Sequence, residues 1–173
     1  QAANTTSGSR LNSRLKDTPA SVSAFTPEFL SDIAATNLEE MLAHATNVEI
    51  DVEDANAGFN NPQGRGADGN DYSFRMRGSP AGASRDFVES SIPVDLYNVE
   101  RVELSSGPNS ILFGFGFPGG LLNLMTKRAQ LHRSFTSTRA QFGSWNYHRY
   151  EIDHNQRLIP GKLALRLNRV LLD

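Results

Sequence analysis

A chain of 173 residues with a formal net charge of −2 fits one domain, or one domain and part of another. Its 17 Lys and Arg residues are balanced by 19 Asp and Glu residues. This balance gives no reason to expect a nucleic-acid partner, because phosphate binding requires a basic surface. Cysteine is absent, which excludes disulfides, thiolate nucleophiles and Cys-ligated zinc or iron–sulfur sites.

The first third of the chain predicts a flexible lead-in followed by two short helices. Residues 1–21 are rich in Thr, Ser, Asn and charged residues and lack a periodic apolar pattern, which is typical of a flexible segment. Thr26 can cap a helix that begins at Pro27, because proline is tolerated at the first helical position. The sequence Thr36-Asn-Leu-Glu39 fits a capping box and predicts a second helix. The apolar face of that helix would consist of Leu38, Met41, Leu42 and Ala45.

Alternating apolar residues predict strands in the middle of the chain, separated by two loops. The strands are expected at residues 48–52, 73–77 and 99–104, and the last is followed by a Gly-rich run and by Leu122 and Leu124. The segment 54–71 is polar and Gly-rich, which indicates an exposed loop of the kind that often carries function. In the second strand, Phe74 and Met76 face away from two arginines. Gly78 ends this strand, and a second loop is expected to run to about Pro93.

The tail after Arg133 predicts three antiparallel strands. Segments 135–143, 147–158 and 162–171 have about the ~10 residues that a tilted barrel strand needs. The turns Ser144-Trp-Asn146 and Ile159-Pro-Gly161 separate them. Alternation by itself leaves two interpretations open, a transmembrane barrel and a soluble meander. Because the last run has no closing turn before Asp173, we expect the chain to be part of a longer protein.

The segment 105–126 carries no charged residue and is long enough to be tested as a transmembrane helix. Its many Gly and Pro residues exclude such a helix. A phosphate loop is excluded too, since no Gly-Lys-Ser/Thr follows the glycines. Neither Ser106 nor Ser110 has the context of a catalytic nucleophile, and the 4 histidines have no metal-binding spacing. We therefore expect no enzyme activity, cofactor or metal site, and we interpret the glycines as scaffold.

The most specific string begins at Ser106 and ends at Lys127, and it reads SGPNSILFGFGFPGGLLNLMTK. It resembles the signature that ends the plug domain of TonB-dependent outer-membrane receptors. The matching residues are Gly107, Pro108, Ser110, Phe113, Gly114, Gly119, Gly120, Asn123, Thr126 and Lys127. Further segments agree in order: 17–23 with the plug entry, 38–52 with its helix and strand, and 74–78 with its Arg-Gly strand, which here supplies Arg77 and Gly78.

The resemblance implies an α+β plug domain, with a small mixed sheet and short helices, followed by the opening antiparallel strands of a transmembrane β-barrel. The implied domains are a lead-in at 1–21, the plug at 22–130 and the first barrel strands at 134–173. Such a receptor lies in the cell outer membrane, with the plug inside the barrel and the N-terminus in the periplasm. A soluble β-rich binding or adhesion module is the alternative.

The implied function is active transport of a scarce small molecule, such as a siderophore or other metal chelate, a vitamin or a glycan fragment. The implied partner is a TonB-type energy-transducing complex, whose binding box we expect upstream of Gln1. Ligand contacts are expected from the loops 60–72 and 79–92. Arg65 and Arg85 are the candidate ligand-binding residues, because a guanidinium suits an anionic chelate.

Three departures from the family pattern suggest a divergent branch. Thr46-Asn47 stands where Pro-Gly is common, and Arg85-Asp-Phe-Val88 replaces the usual Asp-Gly hairpin. Arg77 corresponds to one of two plug arginines that pair with glutamates of the barrel wall, while Ser106 stands in the place of the second. The partners of Arg77 are expected in strands beyond Asp173.

Overall fold

The computed structural model describes residues 4–5, 13–14, 17, 21–50, 74–90, 95–107 and 117–172. It divides the chain into two compact units, Gln1–Thr126 and Lys127–Asp173. The expected lead-in contains two short paired strands, β1 (Asn4–Thr5) and β2 (Ser13–Arg14). The domain boundaries given by the family resemblance stay a prediction.

Two short helices form where the sequence predicts them. Helix α1 spans Pro27–Asp32, and the hydroxyl of Thr26 accepts a hydrogen bond from the Phe29 amide at its start. Helix α2 spans Leu38–Leu42 and buries Leu38, Met41 and Leu42. No helix in the described part of the chain is long and apolar enough to cross a membrane.

The cap of α2 lies one residue later than predicted. Asn37 is the N-cap, and its side chain accepts a hydrogen bond from the Glu40 amide at 2.9 Å. Glu40, rather than Glu39, reaches back to the Thr36 amide at 2.7 Å. The predicted capping box was therefore wrong by one residue, because both Thr36 and Asn37 are able to cap a helix.

A mixed sheet organises the first unit. Its strands are β3 (Ser21–Phe25), β4 (Val48–Ile50), β5 (Phe74–Met76), β6 (Ser79–Arg85), β7 (Val88–Glu89), β8 (Val99–Ser106) and β9 (Gly120–Thr126). Their order is β3-β8-β9-β6-β5-β4, and β7 pairs with β6. Strands β6 and β9 run parallel, whereas β8 and β9 run antiparallel. A 3-10 turn, Leu96–Asn98, precedes β8.

The two faces of this sheet differ in chemistry. On β8, Val102 and Leu104 join the apolar core that also contains the buried residues of α1 and α2. Glu103 and Ser105 alternate with them and are buried as well. Because neighbouring residues on a strand point to opposite faces, the sheet has an apolar face and a polar face.

The predicted loop at 79–92 was wrong, because residues 79–85 and 88–89 form two paired strands. Residues 79–85 form β6, which lies inside the sheet between β9 and β5. Ala81 and Ala83 are buried in the core. At Gly82, a β-carbon would come within 2.0 Å of the Phe117 ring. Small residues are therefore required along β6. Because strands are usually recognised by their β-branched and aromatic residues, the sequence of β6 does not predict a strand.

The second unit is a three-stranded antiparallel sheet. Its strands are β10 (Phe135–Phe142), β11 (His148–Ile159) and β12 (Leu163–Leu172). Strand β11 lies in the middle and pairs with both neighbours. All three predicted segments are confirmed to within one residue at each end. The predicted fold class, an α+β plug followed by antiparallel strands, is confirmed.

Candidate functional site

The residues of the signature form the end of β8 and all of β9. The Gly107 amide donates a hydrogen bond to the Gly119 carbonyl at 3.0 Å. The residue after β8 and the residue before β9 therefore lie side by side. Gly119 and Gly120 are buried. The candidates Pro108 and Gly114 lie outside the described residues.

Gly120 sits at a very close approach between backbones. A β-carbon there would lie 2.3 Å from the Ser105 carbonyl oxygen and 2.8 Å from the Met76 sulfur. Its φ of +140° is a conformation that side-chain-bearing residues rarely adopt. Steric fit and backbone conformation therefore both require glycine at this position.

Asn123 holds β9 to the β6–β7 hairpin. Its side-chain oxygen accepts hydrogen bonds from the Ser84 hydroxyl at 2.9 Å and from the Phe87 amide at 3.0 Å. Only 1% of Asn123 is exposed, and Ser84 is fully buried. Asn123 thus satisfies one buried and one half-buried donor that lie nearly 40 positions earlier in the chain.

A second set of hydrogen bonds, accepted by Asp86, holds the turn of the same hairpin to β9. We call this set and that of Asn123 the two clamps. Asp86 accepts hydrogen bonds from the Thr126 amide at 3.1 Å and from the Thr126 hydroxyl at 2.7 Å. Asp86 and Phe87 have φ values of 49° and 68°, as in the two-residue turns that connect hairpin strands. The hairpin is therefore kept although Phe87 replaces the usual glycine. The sequence does not predict this turn, because a phenylalanine rarely adopts positive φ.

Arg77 lies in the turn that joins β5 to β6 rather than in the predicted strand. Its φ is 53° and that of Gly78 is 72°. The Arg77 amide donates to the Asn47 carbonyl at 3.1 Å, and its side chain is exposed. Ser106 is half-buried at the end of β8. Arg77 and Ser106 are at the same end of the sheet, since both β8 and the β5–β6 turn adjoin the start of β9.

Of the two candidate ligand residues, Arg85 lies within the described structure and Arg65 does not. Arg85 is half-buried at the end of β6, about 20 Å along the strand from the Arg77 turn at ~3.3 Å per residue. Arg65 lies outside the described residues, as does the whole candidate loop 60–72. Their proposed contact with a ligand stays a prediction.

The side chain of Lys127 is held by an ion pair in a cluster with Asp153 and Arg166 of the second unit. Its ammonium lies 3.0 Å from an Asp153 carboxylate oxygen, and both side chains are largely buried. Arg166 donates to the two oxygens of the same carboxylate at 2.8 and 2.7 Å. Such two-pronged pairs fix geometry more firmly than single contacts. Among the described residues, no group of three or more His, Asp or Glu side chains could hold a metal ion.

Comparison with known proteins identifies the family. Residues 14–121 match the TonB-dependent receptor plug domain. The whole chain is 31% identical to the metal-pseudopaline receptor CntO of Pseudomonas aeruginosa and spans 23% of that protein. With the probable TonB-dependent receptor BfrD of Bordetella pertussis it shares 31% identity over 89% of the chain and 20% of the relative. The chain thus covers about a fifth to a quarter of these relatives.

Solved structures agree with this match. The alcaligin outer-membrane receptor FauA of Bordetella pertussis superimposes on 99% of the chain with a TM-score of 0.81 at 23% identity, over 29% of its own length. The siderophore receptor PiuA of Acinetobacter baumannii gives a TM-score of 0.77 at 25% identity, with 99% of this chain and 23% of that structure covered. The chain belongs to the TonB-dependent receptor family and contains its plug domain.

Proposed function

We propose that this chain belongs to an outer-membrane receptor that takes up a scarce small molecule with energy from a TonB-type complex. The plug would fill the lumen of a β-barrel whose opening strands are β10–β12. Its displacement would admit the ligand. Transport of this kind needs no covalent chemistry, and the proposal assigns no enzyme activity.

The observation that carries the proposal is the chemistry of the two faces of β10–β12. One face is mostly apolar and is exposed. Its large residues are Tyr150, Ile152, Leu163, Leu165, Leu167 and Leu171. The other face carries paired charges, such as the buried Arg149 with Glu151 at 2.7 Å. A soluble sheet buries its apolar face, so this inverted arrangement favours a barrel wall with lipid outside over a soluble binding module.

The proposed ligand class is a metal chelate. The names of several relatives refer to metal-pseudopaline, ferrichrome and ferripyoverdine. Such chelates often carry acidic groups, to which Arg65 and Arg85 would donate charge-assisted hydrogen bonds. A glycan fragment would not need these charges. Neutralising Arg65 should therefore weaken binding of an anionic chelate more than binding of a neutral one.

Uptake by the intact receptor tests the proposal. A host strain that lacks its own receptors would express the full-length protein and receive a panel of chelates loaded with radioactive iron: ferrichrome, alcaligin, ferripyoverdine and ferric catecholates. We expect accumulation of at least one chelate, and its loss when the TonB-type complex is deleted. Equal accumulation with and without that complex would refute energy-coupled transport.

A further inference from the structure

The first eight residues of the second unit are held firmly against its strands. The segment 127–134, which we call the anchor segment, contains no helix or strand. Such a connection would ordinarily be read as a linker. Hydrogen bonds and ion pairs instead fix almost every residue of it to β11, to β12 or to the turn between these strands.

The first part of the anchor segment is held by charge. Asp153 of β11 contacts Lys127, and it also fixes the guanidinium of Arg166. Arg166 in turn donates to the Arg128 carbonyl at 2.9 Å. Asp153 thus holds the side chain of Lys127 directly, and through Arg166 it holds the backbone of Arg128.

The middle of the segment is held by one amide side chain. Asn155 is fully buried. Its oxygen accepts a hydrogen bond from the Gln130 amide at 2.9 Å. Its nitrogen donates to the Gln130 carbonyl at 3.0 Å and to the Arg133 carbonyl at 2.6 Å. All three bonds are made to backbone groups, which would otherwise need other partners.

The last part is held by backbone and guanidinium groups. The Arg157 amide donates to the Ser134 hydroxyl at 3.0 Å, and its guanidinium donates to the His132 carbonyl at 3.3 Å. The Gly161 amide, in the β11–β12 turn, donates to the Leu131 carbonyl at 3.4 Å. Contacts to the strands therefore run along the segment from Lys127 to Ser134.

The residues that make these contacts share one face of β11. Asp153, Asn155 and Arg157 are two positions apart, so they point to the same side. Their neighbours His154 and Gln156 point to the opposite side and are exposed. Strand β11 thus presents a carboxylate, an amide and a guanidinium on one face, and all three contact the anchor segment.

We propose that residues 127–134 are an anchor that stays on β11 and β12 while the plug is pulled from its N-terminal side. This inference rests on the proposed function, in which a TonB-type complex applies force to the plug. A force that unzips plug strands one at a time would reach a set of charge-assisted and buried contacts at Lys127. The anchor would limit displacement of the plug and keep its end in place for return.

Single-molecule pulling tests the anchor on the full-length receptor in membranes, with the N-terminus attached to the probe and no ligand present. In the unaltered receptor, plug unfolding should stop before the anchor segment is released. Asn155→Asp keeps the size and the acceptor but removes the two donated bonds, and Asp153→Asn weakens the charge cluster. In each variant, the anchor segment should also be released at the forces that unfold the plug. Eight residues at ~3.3–3.6 Å each correspond to about 26–29 Å.

The matched control is Gln156→Ala, a change on the opposite face of the same strand, which should leave the released length unchanged. Heat-modifiable migration in gels verifies that each variant contains a folded barrel, and Ser134→Ala offers a mild second variant at an exposed position. Released lengths that equal those of the unaltered receptor, or an equal gain in Gln156→Ala, would overturn the anchor. Failure of the unaltered receptor to take up any chelate of the panel would instead refute the proposed function.

Discussion

Replacement of Gly120 by alanine should damage the plug more than the same replacement at any open glycine. The added β-carbon would lie 2.3 Å from the Ser105 carbonyl oxygen, more than 1 Å short of the ~3.5 Å of an ordinary heavy-atom contact. The Ser105 oxygen belongs to the backbone, so rotation of a side chain cannot relieve this clash. Strands β8 and β9 would have to separate where Ser106 pairs with Gly120.

The expected cost combines two effects. Overpacking typically costs about 1–3 kcal/mol, and a side chain in a glycine-only conformation costs about 1–3 kcal/mol more. Their sum, about 4 kcal/mol, is a large part of the ~5–15 kcal/mol that stabilise a typical domain. Gly78 is the matched control, because its φ is +72° and no atom lies within 4 Å of an added β-carbon. Gly78→Ala should therefore cost only about 1–2 kcal/mol.

Hydrogen exchange of the intact receptor in detergent measures the difference. The free energy of opening for the β8 and β9 amides should fall by about 4 kcal/mol in Gly120→Ala and by far less in Gly78→Ala. Equal effects of the two variants, or a larger effect at Gly78, would show that the close approach of Ser105 to Gly120 does not limit stability.

Three further predictions concern the clamps and the plug arginine. Asn123→Ala removes the side-chain acceptor of the Phe87 amide and the shorter of two hydrogen bonds of the Ser84 hydroxyl, which also contacts the Leu122 carbonyl, and should lower the opening free energy of the β6–β7 hairpin by about 1–3 kcal/mol in hydrogen exchange. Phe87→Gly relieves a positive φ and should raise the same free energy by about 1 kcal/mol; a decrease would mean that contacts of the ring outweigh the strain. In the intact receptor, the Arg77 side chain, which is exposed here, is predicted to pair with a carboxylate of the barrel wall, and loss of one partner of a buried pair costs about 3–5 kcal/mol; Arg77→Ala should therefore raise the entry of small antibiotics, whereas Ser106→Ala should have little effect. Equal antibiotic sensitivity of the two variants would show that other contacts hold the plug.

Local patterns were sufficient for much of the fold. The alternation of Leu163, Leu165 and Leu167 predicted β12, and all three residues are exposed on one face. Phe74 and Met76 were predicted on one side of β5, and both are buried. These elements are defined by periodicity within a few residues, so the sequence reveals them without knowledge of their neighbours.

The elements that escaped prediction depend on distant partners. Strand β6 is Ser-Pro-Ala-Gly-Ala-Ser-Arg, a composition that predicts a loop, and it becomes a strand because β9 pairs with it in parallel. The turn at Asp86 forms because Thr126 and Asn123 satisfy its polar groups from 36 to 40 positions away. No local rule encodes such contacts, since they exist only once β9 is in place.

The clamps also explain why the family signature is informative about fold and uninformative about ligand. Gly120 is constrained by a neighbouring carbonyl, Asn123 by two donors and Thr126 by one carboxylate. Each of these constraints comes from contacts within the plug, so none of them depends on a ligand. A change of ligand would have to act on residues outside the signature, among which Arg65 is the proposed candidate, and could leave every clamp intact. Relatives named for different chelates can therefore share this sheet.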